Sequence, residues 1–279
     1  MRRLFVQCAA VLALMISPAV SFASPLVSPA SLSEKLSDKK VVIIDLRNKI
    51  DKGSYESFLQ GHIPGAIHSD YLKDGWRIDR DGIVGLLPQA EQFEGLARRL
   101  GVSDDTHVVV VPAGVSSTDF GSAARAYWTF KVFGHDNVSV LDGGYAAWRA
   151  FAPNKIETGA SIAPQLGNFV ARFNPQYYIG KADVAAYAAN PSHATLVDGR
   201  NDMQFYAAAK HPKAAKAGRI PSAILMDQNN AYSTEQNRLK GRDELTEIYR
   251  GVGDKTIVSY CNTGHWAATN WFVMSEVLG

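Results

Sequence analysis

The residues best suited to chemistry lie close together near one end of the chain, in Tyr260-Cys261-Asn262-Thr263-Gly264-His265-Trp266. Thr256 to Tyr260 reads as a strand, and Ala267 to Val277 has the apolar spacing of a helix, so residues 261 to 266 form the tight loop between them. A sulfur at that point faces the free N–H groups and positive end of the following helix, a setting that favours an anion. A thiolate there is a nucleophile for covalent catalysis. The bland reading is that a free cysteine is a small buried hydrophobe. There is no second cysteine in the loop for a redox pair. Cys261 and His265 alone are a poor metal site, because tetrahedral zinc takes four protein ligands or three plus water. No metal is expected.

The elements that must hold this loop occur twice. Val41-Val42-Ile43-Ile44-Asp45-Leu46-Arg47 matches Ala194-Thr195-Leu196-Val197-Asp198-Gly199-Arg200, each an apolar run ending in Asp-x-Arg. Such a run reads as a buried strand with a charged pair at its carboxyl end. Gly61-His62-Ile63-Pro64-Gly65-Ala66-Ile67 matches Gly218-Arg219-Ile220-Pro221-Ser222-Ala223-Ile224, and His107 to Ala113 matches Lys255 to Cys261. The halves are homologous domains, residues 24–150 and 175–279, joined by a connector over 151–174 that carries Pro153, Gly159, Pro164 and Gly167. Helical stretches at Pro88 to Leu100, Ala123 to Phe133, Lys181 to Ala189 and Asp243 to Tyr249 alternate with the strands. The fold class is therefore α/β, each domain a parallel central sheet with helices on both faces and ligands beyond the carboxyl ends of the strands. Tyr127-Trp128, Trp148 and Trp271-Phe272 read as core.

The composition is that of a globular protein: 279 residues, 46% hydrophobic and 20% charged, with a net charge of +2 that includes Arg2 and Arg3. No basic excess points to nucleic acid. Met1-Arg2-Arg3, the apolar run Leu4 to Ile16 and the small-residue site Ser21-Phe22-Ala23 have the pattern of a secretory signal peptide over 1–23, too short to span a bilayer. A periplasmic or secreted protein is expected, with no membrane attachment after cleavage. Losing Cys8 leaves Cys261 without an internal partner in an oxidising compartment.

Taken in order, these motifs and Leu141-Asp142-Gly143-Gly144-Tyr145-Ala146-Ala147-Trp148, which closes the first half, resemble the tandem-domain rhodaneses, the thiosulfate sulfurtransferase family. The resemblance covers essentially the whole chain after residue 23. It implies that Cys261 attacks the outer sulfur of thiosulfate, that sulfite departs, and that a cysteine persulfide waits until cyanide or a thiol takes the sulfur, with no cofactor. Ala113 stands at the matching position of the first half, which then resembles the family's non-catalytic domain. The partners implied are a small sulfur-donor anion and a thiol or cyanide acceptor; a monomer is expected.

Four departures mark this chain. Members of the family often carry Arg or Lys in the active loop for thiosulfate and a Gly-Ser pair for 3-mercaptopyruvate; Asn262-Thr263 follows neither pattern. His265 and Trp266 make the loop bulky, and His265 is expected to be partly cationic below about pH 6.5. Where the family often has a substrate-binding Arg, four residues beyond the second Asp-x-Arg, this chain has Gln204, an uncharged amide. Donor binding is then expected from Asn262, Thr263, Gly264, His265, Trp266, Arg200 and Gln204 around Cys261, with Arg200 also a structural partner of Asp198. The second domain is expected to lack its last strand and helix, since nothing after Leu278-Gly279 matches residues 137–148; a C-terminal truncation is the expectation, and a domain that ends early with an open sheet position is the alternative. Alternatives are a 3-mercaptopyruvate sulfurtransferase and a non-turnover persulfide carrier or binding protein. Phosphate or arsenate chemistry built on Cys-x5-Arg is disfavoured because Ala267 stands where the arginine would be.

Overall fold

The computed structural model describes residues 23–161 and 165–279; the expected leader, up to Phe22, lies outside them. In chain order the first half contains β1 (Leu26–Val27), α1 (Pro29–Glu34), β2 (Val41–Asp45), α2 (Tyr55–Gln60), β3 (Ile67–His68), β4 (Ile78–Arg80), β5 (Ile83–Leu86), α3 (Ala90–Arg99), β6 (His107–Val111), α4 (Ser117–Val132), β7 (Val138–Leu141) and α5 (Gly144–Phe151). The second contains α6 (Lys181–Ala189), β8 (Ala194–Asp198), α7 (Asp202–Phe205), β9 (Ile224–Leu225), β10 (Tyr232–Ser233), β11 (Arg238–Leu239), α8 (Arg242–Tyr249), β12 (Thr256–Tyr260) and α9 (Trp266–Trp271), which runs on as a π-helical turn over Phe272–Leu278.

The first domain holds a parallel five-stranded sheet in the order β1-β7-β6-β2-β3, and the second a parallel three-stranded sheet in the order β12-β8-β9. Continuous Val/Ile runs suit such strands because helices cover both faces. The repeat shows in the register. Val41 to Asp45 pair with His107 to Val111, and Ala194 to Asp198 pair with Thr256 to Tyr260. Each Asp-x-Arg thus lies beside the loop that leaves the neighbouring strand. The Asp45 carboxylate accepts from Arg47, whose Nη2 donates at 2.8 Å to the Gly61 carbonyl; Arg200 pairs with Asp198 and donates at 2.8 Å to the Gly218 carbonyl. The buried pair therefore ties each strand end to the Gly-x-Ile-Pro segment, and its charges are satisfied within the fold. On its other side β12 pairs with no strand among the described residues, whereas β7 and β1 flank the matching side of β6.

The core runs across the domain boundary. One apolar cluster joins Phe93, Phe130 and Phe169 of the first domain and connector to Tyr249 and Phe272 of the second. At the seam, α4 packs on α9, with the Phe272 ring edge-on to Phe120 at 5.6 Å and to Tyr127 at 4.9 Å. Edge-to-face aromatic packing of this kind fixes orientation as well as burying area. The connector is more than a tether: Phe169 is fully buried, and its carbonyl accepts from Arg98 Nε at 2.8 Å.

Candidate active site

Cys261 follows β12 directly, and its half-buried Sγ accepts the Ala267 N–H of α9 at 3.4 Å. None of the N–H groups of Asn262, Thr263, Gly264 and His265 has an acceptor among the described residues. The loop therefore carries unpaired backbone donors next to the sulfur, and the Ala267 N–H reaches Sγ itself, a setting that favours negative charge.

The matching loop of the first domain shows such loop donors with an acceptor in place. There the Asp119 carboxylate accepts from the N–H groups of Ala113, Gly114 and Val115 at 2.9, 2.6 and 3.1 Å. Burial pushes the Asp119 carboxyl up to about 6, while the three donors favour its ionised form, so at neutral pH it is the resident anion of that loop. Asp119 lies six residues past Ala113; six past Cys261 comes Ala267. One domain fills its cradle with a side chain, and the other leaves the cradle open beside a thiol.

Asn262 Nδ2 donates to Gln204 Oε1 at 2.7 Å, and Asn262 Oδ1 accepts from Arg200 Nη1 at 3.4 Å. Arg200 and Gln204 thus reach the loop through the Asn262 side chain, and the Arg200 charge is held by Asp198. Gly264 adopts φ +71°, a conformation that favours glycine. Trp266 is half-buried as the first residue of α9.

The position of His265 corrects the expectation of a partly cationic loop residue. It is 6% exposed, its Nδ1 is 3.1 Å from the Tyr71 hydroxyl, and its Nε2 is 2.6 Å from the Thr118 carbonyl. A carbonyl can only accept, so Nε2 carries the proton and Nδ1 accepts from Tyr71. Burial lowers the His265 pKa to about 4. The ring is a neutral pin between the active loop and the first domain.

That domain supplies further parts that the motifs did not signal. The β4–β5 hairpin lies so close to the loop that a Cβ on Gly85 would come within 2.7 Å of the Thr263 carbonyl oxygen. Arg125 of α4 donates through Nη1 to that carbonyl at 3.3 Å and through Nη2 to the Gly85 carbonyl at 3.1 Å. Its guanidinium carbon lies 4.7 Å from the Trp128 ring centre. A cavity of about 470 Å³ runs from Cys261 along the free side of β12, bordered by Ala267 and Trp271 on one side and by Gly85, Arg125 and Trp128 on the other. Trp128 and Trp271, expected in the core, are half-buried walls of this cavity.

Residues 28–151 and 181–279 match the model of the Rhodanese-like domain. The chain belongs to that family. The 3-mercaptopyruvate sulfurtransferase of Escherichia coli (strain K12) is 33% identical over 247 residues, which are 85% of this chain and 83% of that protein. The thiosulfate sulfurtransferase of Corynebacterium glutamicum is 32% identical over 246 residues, 83% of this chain and 77% of that one. The crystal structure of the Escherichia coli 3-mercaptopyruvate sulfotransferase superposes with a TM-score of 0.77 at 29% identity, covering 92% of this chain and 95% of its own. The tandem rhodanese fold read from the repeated motifs is thereby established, and with it membership of a sulfurtransferase family.

Proposed function

We propose that the protein transfers a sulfane sulfur from thiosulfate to cyanide or a thiol through a persulfide on Cys261. The reading rests on one observation above all: Cys261 Sγ accepts the Ala267 N–H at the start of α9, and Cys261 opens a loop whose N–H groups have no acceptor among the described residues and lines a cavity large enough for a small anion. The Cys261 thiolate attacks the outer sulfur of thiosulfate. The S–S bond of the donor breaks, and sulfite leaves with the electron pair. The terminal sulfur of the new persulfide carries the negative charge, which the N–H groups of residues 262 to 265 are free to meet. Cyanide then attacks that sulfur, thiocyanate departs, and the thiolate is regenerated. Asn262, Thr263, Gly264, His265 and Trp266 shape the loop, and Arg200 and Gln204 orient Asn262.

The relative from Escherichia coli favours 3-mercaptopyruvate as the second reading of the donor. There the C–S bond breaks, and the departing enolate takes a proton to become pyruvate. Turnover with cyanide separates the two: thiocyanate with sulfite from thiosulfate supports the first, and thiocyanate with pyruvate from 3-mercaptopyruvate, without turnover of thiosulfate, replaces it with the second. We further propose that the chain is exported, on the signal pattern of residues 1–23. The mass of the protein recovered from a periplasmic fraction tests this, with cleavage after Ala23 expected and an intact Met1 contradicting it.

A further inference from the structure

Arg125 is a buried cation with too few partners. It is 4% exposed and forms no ion pair among the described residues. Of its five N–H bonds, only two meet acceptors, both of them carbonyls, and its Nε is buried with no partner. An unpaired charge inside a protein is costly unless something compensates it. The Arg77 guanidinium, 5.1 Å from the Tyr71 ring centre, adds a second positive charge close by rather than a counter-ion. The groups of opposite tendency facing Arg125 are Tyr71, Cys261 and Tyr178; burial keeps the Tyr71 phenol protonated. The guanidinium borders the cavity that ends at Cys261, and Gly264 is what lets it come so near, since a Cβ there would overlap Nη1.

We propose that Arg125, from the domain without a nucleophile, is the anion-binding residue of the site: its free N–H groups receive the oxyanion end of the sulfur donor while Cys261 takes the sulfur. This rests on the sulfurtransferase reading for the identity of the anion, though not for the charge. It assigns the missing cation of the second-domain motif, where Gln204 stands, to the opposite wall of the cavity. A sulfonate and a carboxylate satisfy the same guanidinium, so the proposal holds for thiosulfate and for a mercapto acid.

The test uses alkylation of Cys261, which needs no sulfur transfer. Rates with iodoacetate, an anion, and iodoacetamide, its neutral counterpart, are measured at one pH for the wild type, Arg125→Gln, Arg125→Lys and free N-acetylcysteine. A charge of this kind at close range is expected to raise the iodoacetate-to-iodoacetamide ratio of the wild type about tenfold above that of N-acetylcysteine. Arg125→Gln should abolish the increase, and Arg125→Lys should keep part of it. A wild-type ratio no higher than that of N-acetylcysteine overturns the proposal with no variant needed, as does an unchanged ratio in a folded Arg125→Gln. In steady state the Gln variant should raise KM for the donor more than it lowers kcat. If the ratio behaves as expected but no persulfide forms on the wild type, the anion site stands and the sulfurtransferase reading falls.

Discussion

Placing a carboxylate at position 267 should silence Cys261 while leaving the fold intact. The matching position of the first domain carries Asp119, which draws three loop N–H groups onto its oxygens at 2.6 to 3.1 Å, so this backbone accommodates aspartate there. In Ala267→Asp the new carboxylate would take the loop donors left unpaired next to the sulfur and would add a like charge beside it. The Ala267 N–H already lies 3.4 Å from Sγ, which puts a side-chain carboxylate roughly 4–5 Å from the sulfur. At an effective dielectric constant near 20, two negative charges at that separation repel by about 3–4 kcal/mol, or about 10²–10³ in rate. The assay is the rate at which intact protein gains one sulfur from thiosulfate, read by mass spectrometry, with Ala267→Asn as the uncharged control of similar size. Ala267→Asp should load at least about a hundredfold more slowly than wild type, and Ala267→Asn far less so. Loading of the Asp variant within about threefold of wild type would refute the view that unpaired loop donors distinguish the active loop.

Three further outcomes follow from the packing. Because the buried His265 has a pKa of about 4 against about 6.5 when exposed, the unfolded chain binds the extra proton; the stability of its neutral form is complete above about pH 6.5 and is lost as pH falls toward 4, by roughly 3 kcal/mol. Thermal midpoints should therefore fall more steeply with acid in wild type than in His265→Gln, and parallel curves would contradict this. Gly121→Ala in α4 would bring a Cβ within 2.9 Å of His265 Nε2 and should destabilise the protein, although Gly95→Ala in α3, which meets nothing closer than an Arg99 nitrogen at 3.5 Å, should stabilise it by about 0.5–1 kcal/mol; urea unfolding that shifts both the same way would argue against the seam. Ser222 adopts φ +66° where the other repeat has Gly65 at +75°, so Ser222→Gly should raise stability by about 1 kcal/mol, and a loss would contradict strain at that turn.

Much of this architecture is written locally. Apolar runs ending in Asp45-Leu46-Arg47 and Asp198-Gly199-Arg200 placed two buried strand ends, and the repeat put Cys261 opposite Ala113 because each chain segment carries its own strand, loop and helix signals. Helix starts were less legible. The expected helix from Ala123 begins at Ser117, capped by Ser116, which accepts the Asp119 N–H at 3.1 Å; the polar first turn faces the second domain and so lacks apolar spacing. The helix expected from Ala267 starts one residue earlier and widens into a π turn from Phe272, which no local pattern marked. What the sequence hid about the site lies across the domain seam. Tyr71, Gly85, Thr118 and Arg125 are far from Cys261 along the chain, and an arginine within an apolar helical stretch looks the same whether it faces solvent or a cavity. The neutrality of His265 is hidden from the sequence for the same reason: it comes from burial at the domain seam, which outweighs the pull of the Thr118 carbonyl toward the charged form, and only tertiary packing creates that burial.

The central claim is that Cys261 carries sulfur, and intact mass after incubation with thiosulfate tests it most directly. The wild type should gain one sulfur that cyanide removes, while Cys261→Ser should gain none. A folded wild-type protein that gains nothing from thiosulfate or 3-mercaptopyruvate, or a serine variant that gains as much, would contradict the account.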